Sequence, residues 1–190
     1  RSTLFPYTTL FRSQPLYNSG TVEDEILLEV AKKMCVAART APKACGQDSI
    51  ETLIIDGEEQ QALIKAMKTH SKESNQAFFE RDAKNLENCA CVFLISVYSA
   101  PTALPKCGIC GYDDCNESIK NKSHCTFKIT DLGIALGSAV SIAADNRIDN
   151  RILYSAGKVA LKLDFFPKDC KVCYAAGLSA KGKNVFFDRQ

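Results

Sequence analysis

The sequence predicts an α/β (α+β) fold: a small central sheet flanked by helices and interrupted by one long cysteine-rich excursion. Three observations carry this expectation. Segments with apolar residues at helical spacing alternate with short apolar or β-branched runs. One run, residues 91–97 (CVFLISV), is continuously apolar, as a strand covered on both faces must be. Residues 99–123 follow neither period, and a compact domain seldom keeps a loop of that length without a functional reason.

Taken in order, the first convincing element is a helix over 21–39. Thr21-Val-Glu-Asp24 reads as its capping start, and Ile26, Leu27, Val30, Met34 and Ala38 form its apolar stripe. It stops before Ala41-Pro42, because proline disfavours helix for the residue ahead of it. A loop runs through Gly46. Residues 52–55 form a buried strand closed by Asp56-Gly57. Helices are expected over 58–72, around Leu63, Ile64 and Met67, and over 76–87, around Phe78, Phe79, Ala83 and Leu86. After the strand at 91–97 and the excursion, Thr130 is expected to cap a helix to 146 and a further helix to span 150–163. The last strand is expected at 171–176, followed by a tail ending Phe186-Phe187-Asp188-Arg189.

Residues 1–13 (RSTLFPYTTLFRS) show neither period and have no apolar stretch resembling a signal sequence. They resemble a translated sequencing adapter, so the expectation is an artefact or disordered leader followed by one domain over 14–190. Without Arg1 and Arg12 the acidic and basic side chains balance, and the whole chain of 190 residues carries only +2. Neither nucleic acid nor a membrane surface is therefore expected as a partner. No run approaches the ~18 apolar residues of a spanning helix.

Ten cysteines stand out. With no secretory signal the expectation is a cytoplasmic protein, in which dense cysteine means metal ligands, reactive thiols or small buried hydrophobes rather than disulfides. Cys107, Cys110, Cys115 and Cys125 lie in or beside the excursion with spacing C-x2-C-x4-C-x9-C. Gly108 and Gly111 each follow a cysteine and let backbone N–H groups approach the sulfurs. Three ligand candidates crowd together and the fourth stands apart. Structural zinc sites more often take two separated pairs, so the pattern points first to an iron–sulfur centre, with zinc as the competitor. Four cysteines without a histidine partner favour [4Fe-4S] over [2Fe-2S]. His124 is a neighbour rather than a ligand, and Asp113 and Asp114 are expected to lower the potential of such a centre. Cys170-x2-Cys173 sits on a strand, where residues three apart face opposite ways. Cys89 and Cys91 are expected on one strand face, Cys35 on the buried side of the first helix, and Cys45 in a loop that could line a pocket.

The run Cys107-Gly-Ile-Cys110-Gly-Tyr-Asp-Asp-Cys115, then Cys125, Asp131-Leu-Gly-Ile-Ala-Leu-Gly-Ser-Ala139, Asp149-Asn-Arg151 and Gly182-Lys-Asn-Val-Phe-Phe-Asp-Arg189, resembles the bacterial and archaeal ferredoxin-domain-containing family, a domain of unknown function. That resemblance implies a [4Fe-4S] site at Cys107, Cys110, Cys115 and Cys125. Ala37-Ala-Arg-Thr-Ala-Pro42 and the order of elements are also similar to the nitroreductase-like fold, whose members hold FMN at a dimer interface. The chain departs from it in lacking an Arg-rich start before Thr21 and in reading Lys43-Ala44-Cys45-Gly46 after Ala41-Pro42.

These readings imply an iron–sulfur electron-transfer protein with an unknown redox partner. The alternatives are an FMN-dependent, homodimeric nitroreductase-like oxidoreductase using the cluster as a relay, and a zinc-stapled interaction module. Asp149-Asn-Arg151 is expected as an ion-paired helix start, Lys181-Gly-Lys183 as a solvated turn. With only His70 and His124, no Ser/His/Asp triad is expected.

Overall fold

The computed structural model describes residues 16–187. The expected leader over 1–13 and the last residues of the tail, 188–190, lie outside them. Four strands form one antiparallel sheet in the order β1-β2-β4-β3, where β1 is Ile50–Ile55, β2 Cys91–Tyr98, β3 Asp149–Leu153 and β4 Cys170–Ser179. Helices α1 (Ser19–Thr40) and α5 (Thr126–Asp145) pack together over one face. Helices α2 (Gly57–Ser74), α3 (Ala77–Leu86) and α6 (Tyr154–Ala160) cover the other. The short α4 (Cys115–Lys120) belongs to the excursion.

The pleat of β2 organises both cores. Cys91, Phe93, Ile95 and Val97 point toward α1 and α5, where they meet Leu27, Val30, Met34, Leu132, Leu136 and Ala139. Val92 and Leu94 point the other way, into Leu63, Met67, Phe79, Leu86 and Val159. This is the two-sided strand that its unbroken apolar run predicts. Burying each of these large side chains contributes about 1.5–3 kcal/mol, so the double coverage of β2 is a main source of stability.

Several boundaries differ from expectation for identifiable reasons. Helix α1 opens at Asn18, whose side-chain oxygen accepts from the Thr21 amide at 3.0 Å, and no acid lies in its first turn. Asn is as good a cap as Thr, so the helix takes the earlier one. Helix α5 starts at Thr126 rather than Thr130, and Lys128 in the added turn is already buried. Its length and composition would suffice to cross a membrane, yet Leu132, Ala135, Leu136, Ala139 and Ala143 are core residues. The helix expected from 150 is replaced by strand β3, and α6 begins only at Tyr154. Asp149-Asn-Arg151 is thus an edge strand and not an ion-paired helix start. Arg151 turns to the tail instead: its Nη1 donates to the Phe186 carbonyl at 2.9 Å, and its guanidinium lies 5.4 Å from the Phe187 ring centroid.

The scattered cysteines also sort differently. Cys91 faces the α1/α5 core, whereas Cys89, just ahead of the strand, faces α2 and α3, so the two do not share a face. Cys170 and Cys173 do share one. The β2–β4 register slips between Val97 and Tyr98, inserting one residue on β4, and that bulge returns both sulfurs to the same core. Burial pushes the Cys89, Cys91 and Cys173 thiols up to about 12.

Two predictions follow from this packing. Gly157 on α6 lies against β4 so closely that a Cβ would stand 2.1 Å from the Cys173 carbonyl oxygen. Backbone cannot step aside, so Gly157→Ala should cost about 3 kcal/mol or more. Gly133→Ala in α5, where nothing lies within 4 Å, should gain up to about 1 kcal/mol. Urea unfolding of the two variants checks the opposite signs. The three thiols held near 12 are neutral in the fold at pH values where the unfolded chain has lost those protons. The folded state then binds more protons, so stability, full below about pH 9, should fall as pH rises toward 12. Replacing Cys173 by Ala should flatten that alkaline decline in urea midpoints measured across the interval.

Candidate metal centre

The excursion leaves the sheet where β2 ends, with the Ser99 amide donating to Asp169 O at 2.9 Å. Positive φ angles recur along it, at Ala103 (59°), Lys106 (52°), Gly108 (61°) and Gly111 (87°). The last two allow the chain to double back between ligand candidates, and the Gly111 amide closes that turn on Gly108 O at 2.9 Å. Asp114 then caps α4 by accepting from the Glu117 amide at 2.9 Å. The Glu117 carboxylate returns to the Asp113 amide at 3.0 Å, a reciprocal cap that ordinary loop composition conceals. After α4, Ser123 N bonds Ser118 O and the chain enters α5 at Cys125.

Folded this way, the excursion brings Cys107, Cys110, Cys115 and Cys125 to the wall of one recess, together with Pro101, Leu104, Ile109, Tyr112 and Ser118. With the solvent at its mouth included, it measures about 340 Å³. All four thiols are half-buried and unbridged. Among the described residues no three His, Cys, Asp or Glu side chains are grouped as a single metal ion would require. Four thiolates at ~2.3 Å from one zinc would bring their sulfurs within about 4 Å of each other.

The four positions are not equivalent. Cys107, Cys110 and Cys115 belong to the excursion, whereas Cys125 is the N-cap of the 20-residue helix α5, whose buried face is core. Burial pushes the Cys125 thiol up. The backbone N–H groups of Thr102, Lys128 and Phe127 and the Thr102 hydroxyl, 3.8 Å away, outweigh this and hold it below the usual thiol range. Thr102 is itself buried, and its carbonyl accepts from Gln47 Nε2 at 3.4 Å. That bond ties the excursion to the segment after α1.

This segment is where the nitroreductase-like resemblance would seat a flavin. Its basic groups are engaged within the chain. Arg39 Nη1 pairs with Asp48 at 2.5 Å, and Lys43 Nζ caps α1 by bonding Ala38 O at 2.7 Å and Arg39 O at 2.5 Å. The described residues here therefore offer no uncommitted cation to a flavin phosphate. Cys45 is exposed at φ 55° on the Ala44–Gly46 turn. The Ala44 amide donates to Asp131 Oδ1 at 2.9 Å, a contact the sequence does not signal. His124 is exposed, and His70 lies edge-on to Phe79 on the far side of the sheet.

The folded chain, a four-stranded antiparallel sheet between two helical layers with a thiol-lined excursion, has relatives of two kinds. Residues 121–189 match the family described as "Uncharacterized protein containing a ferredoxin domain (DUF2148)". An uncharacterized protein of Archaeoglobus fulgidus is 36% identical over 182 residues, covering 92% of this chain and 97% of the archaeal one. The chain belongs to this ferredoxin-domain family. The matched stretch holds Cys125 and runs through α5 to β4; Cys107, Cys110 and Cys115 precede it. In fold the chain is similar to a nitroreductase with bound FMN from Desulfitobacterium hafniense, with a TM-score of 0.56, 12% identity and coverage of 82% and 78% of the two chains. It is likewise similar to the nitroreductase CinD from Lactococcus lactis in complex with chloramphenicol, with a TM-score of 0.57, 14% identity and coverage of 85% and 80%. The nitroreductase-like architecture is thereby shown.

Proposed function

We propose that the protein is a one-electron carrier whose iron–sulfur centre, a [4Fe-4S] cluster, is ligated by Cys107, Cys110, Cys115 and Cys125. The observation that carries this reading is the convergence of those four thiols, and no other cysteine, on one recess. A cluster bound there would supply reversible one-electron chemistry. The chain's own part is to hold the ligands and shield them. Cys125 is the fixed ligand, standing at the start of α5 where its surroundings hold the thiol below its usual range. Gly108 and Gly111 let the other three approach from the opposite side. Pro101, Leu104 and Ile109 make the recess largely apolar, and Ile109, exposed between two of the ligands, marks its solvent side. The partner would be a redox protein meeting the chain there, and we place the whole in the cytoplasm.

Two other readings remain testable in the same preparation. An FMN-dependent oxidoreductase, dimeric and with the cluster as relay, is supported by fold likeness alone, since Arg39 and Lys43 are engaged elsewhere. A zinc staple is the competitor that the same four thiols and their spacing leave open.

Anaerobic reconstitution of the full chain is expected to give about four irons and about four sulfides, with broad absorption near ~400 nm. Serine at any of Cys107, Cys110, Cys115 or Cys125 should remove most of that iron, whereas Cys89→Ser and Cys173→Ser should keep it. Zinc at one equivalent without iron would overturn the reading, and stoichiometric yellow flavin released on denaturation would favour the oxidoreductase.

A further inference from the structure

A buried positive charge stands beside the four-thiol recess. Lys128, in the first turn of α5, is only 5% exposed. Its Nζ donates to the Gln47 carbonyl at 3.3 Å, a neutral acceptor. Among the described residues no carboxylate forms an ion pair with it. Lys128 and Cys125 line one narrow crevice together with His124. A buried cation without a counter-ion is costly, and a fold retains one where something anionic offsets it.

We propose that Lys128 is the counter-charge of the iron–sulfur centre and that it raises the centre's reduction potential; this rests on the ligand reading above. Four thiolates around an iron–sulfide core leave it anionic. Reduction transfers one electron to it from a one-electron donor, such as dithionite, and adds one negative charge with no bond broken. A fixed cation in a low-dielectric setting favours the more negative, reduced form.

The competing charges are weaker at this point. Asp113 and Asp114, expected from the sequence to depress the potential, are both exposed, and Asp114 also caps α4. Water and salt screen them, whereas Lys128 is shielded from both. Asp131 is buried three residues along α5 from Lys128, with its Oδ1 held by the Ala44 amide and its Oδ2 without a hydrogen-bond partner; it makes no ion pair with Lys128 and lines neither cysteine-bearing recess. Of the two buried charges, Lys128 is the one that shares a crevice wall with Cys125.

The test is a redox titration followed by electron paramagnetic resonance on reconstituted full-length chains. Lys128→Gln, which keeps a donor for Gln47 and drops the charge, should shift the midpoint to more negative values. Lys128→Arg should stay near wild type, and the double change Asp113→Asn with Asp114→Asn should move the midpoint less than Lys128→Gln does. An unchanged midpoint in Lys128→Gln, or a larger shift in the aspartate pair, overturns the proposal while leaving the ligand reading intact. A wild-type chain that assembles no iron–sulfur centre overturns both. Should the neutral variant take up no iron, the metal-free chains still report. Lys128→Met, which removes an uncompensated buried cation, should unfold at a higher temperature than metal-free wild type, and a lower temperature overturns the proposal.

Discussion

The chemistry available to the excursion depends on where α5 begins. Because buried Lys128 already lies in its first turn and Leu132 in its second, Cys125 becomes the residue at which irregular chain turns into core helix. Backbone N–H groups at a helix start have no partners inside the helix and carry part of the macrodipole's positive end. A thiolate seated there lies at that positive end. The same packing that stabilises the α1/α5 layer thus fixes one sulfur in position and favours its thiolate. Had the helix started at Thr130, Cys125 would have been one more loop cysteine.

That anchoring divides the labour among the four thiols. Cys107, Cys110 and Cys115 sit on a segment held by turns, a six-residue helix and few tertiary bonds, so ordering them costs conformational entropy. If the four thiols ligate one centre as proposed, one rigid ligand would lower that cost, because the remaining three would close onto a point already defined. The bond from Gln47 to the Thr102 carbonyl and the hydroxyl of Thr102 near Cys125 add a brace from the segment after α1. Rearrangement of that segment would therefore reach the sulfur recess through two polar contacts rather than through the core.

Much of this was legible in the residues, and what was hidden has definable causes. Strand β2 could be read because two-sided burial writes an unbroken apolar run, and α1, α2 and α3 because one-sided burial writes a 3.6-residue stripe. The ligand spacing pointed to one locality, since four cysteines close in sequence can meet without help from topology. Strand β3 could not be read: Asp149 to Leu153 is a short edge strand whose partner, β4, lies about twenty residues on, and its polar start looks like a helix cap. Helix α4 was masked by glycines and aspartates that signal turns, although Asp114 and Glu117 form its cap. The shared face of Cys170 and Cys173 required the bulge opposite Tyr98, a register event with no local signature. Lys128 drew no attention because a lysine near a helix start is ordinarily solvated, and only the packing of α5 shows it buried.

Ten thiols in one chain raise the question of which four an inorganic core would take, and the fold supplies an answer from dielectric alone. Ligation needs a thiolate. Cys89, Cys91 and Cys173 are buried among apolar side chains that push them to about 12, and Cys170 is raised in the same direction. At neutral pH these sulfurs remain protonated and enclosed. Cys35 lies against the α1/α5 core and Cys45 stands alone on its turn. Only at Cys125 does local hydrogen bonding drive a thiol the other way, and it is there that three further thiols meet it. Selection of ligands then follows from where the chain is dry and where it offers N–H groups, with cysteine content itself a poor guide.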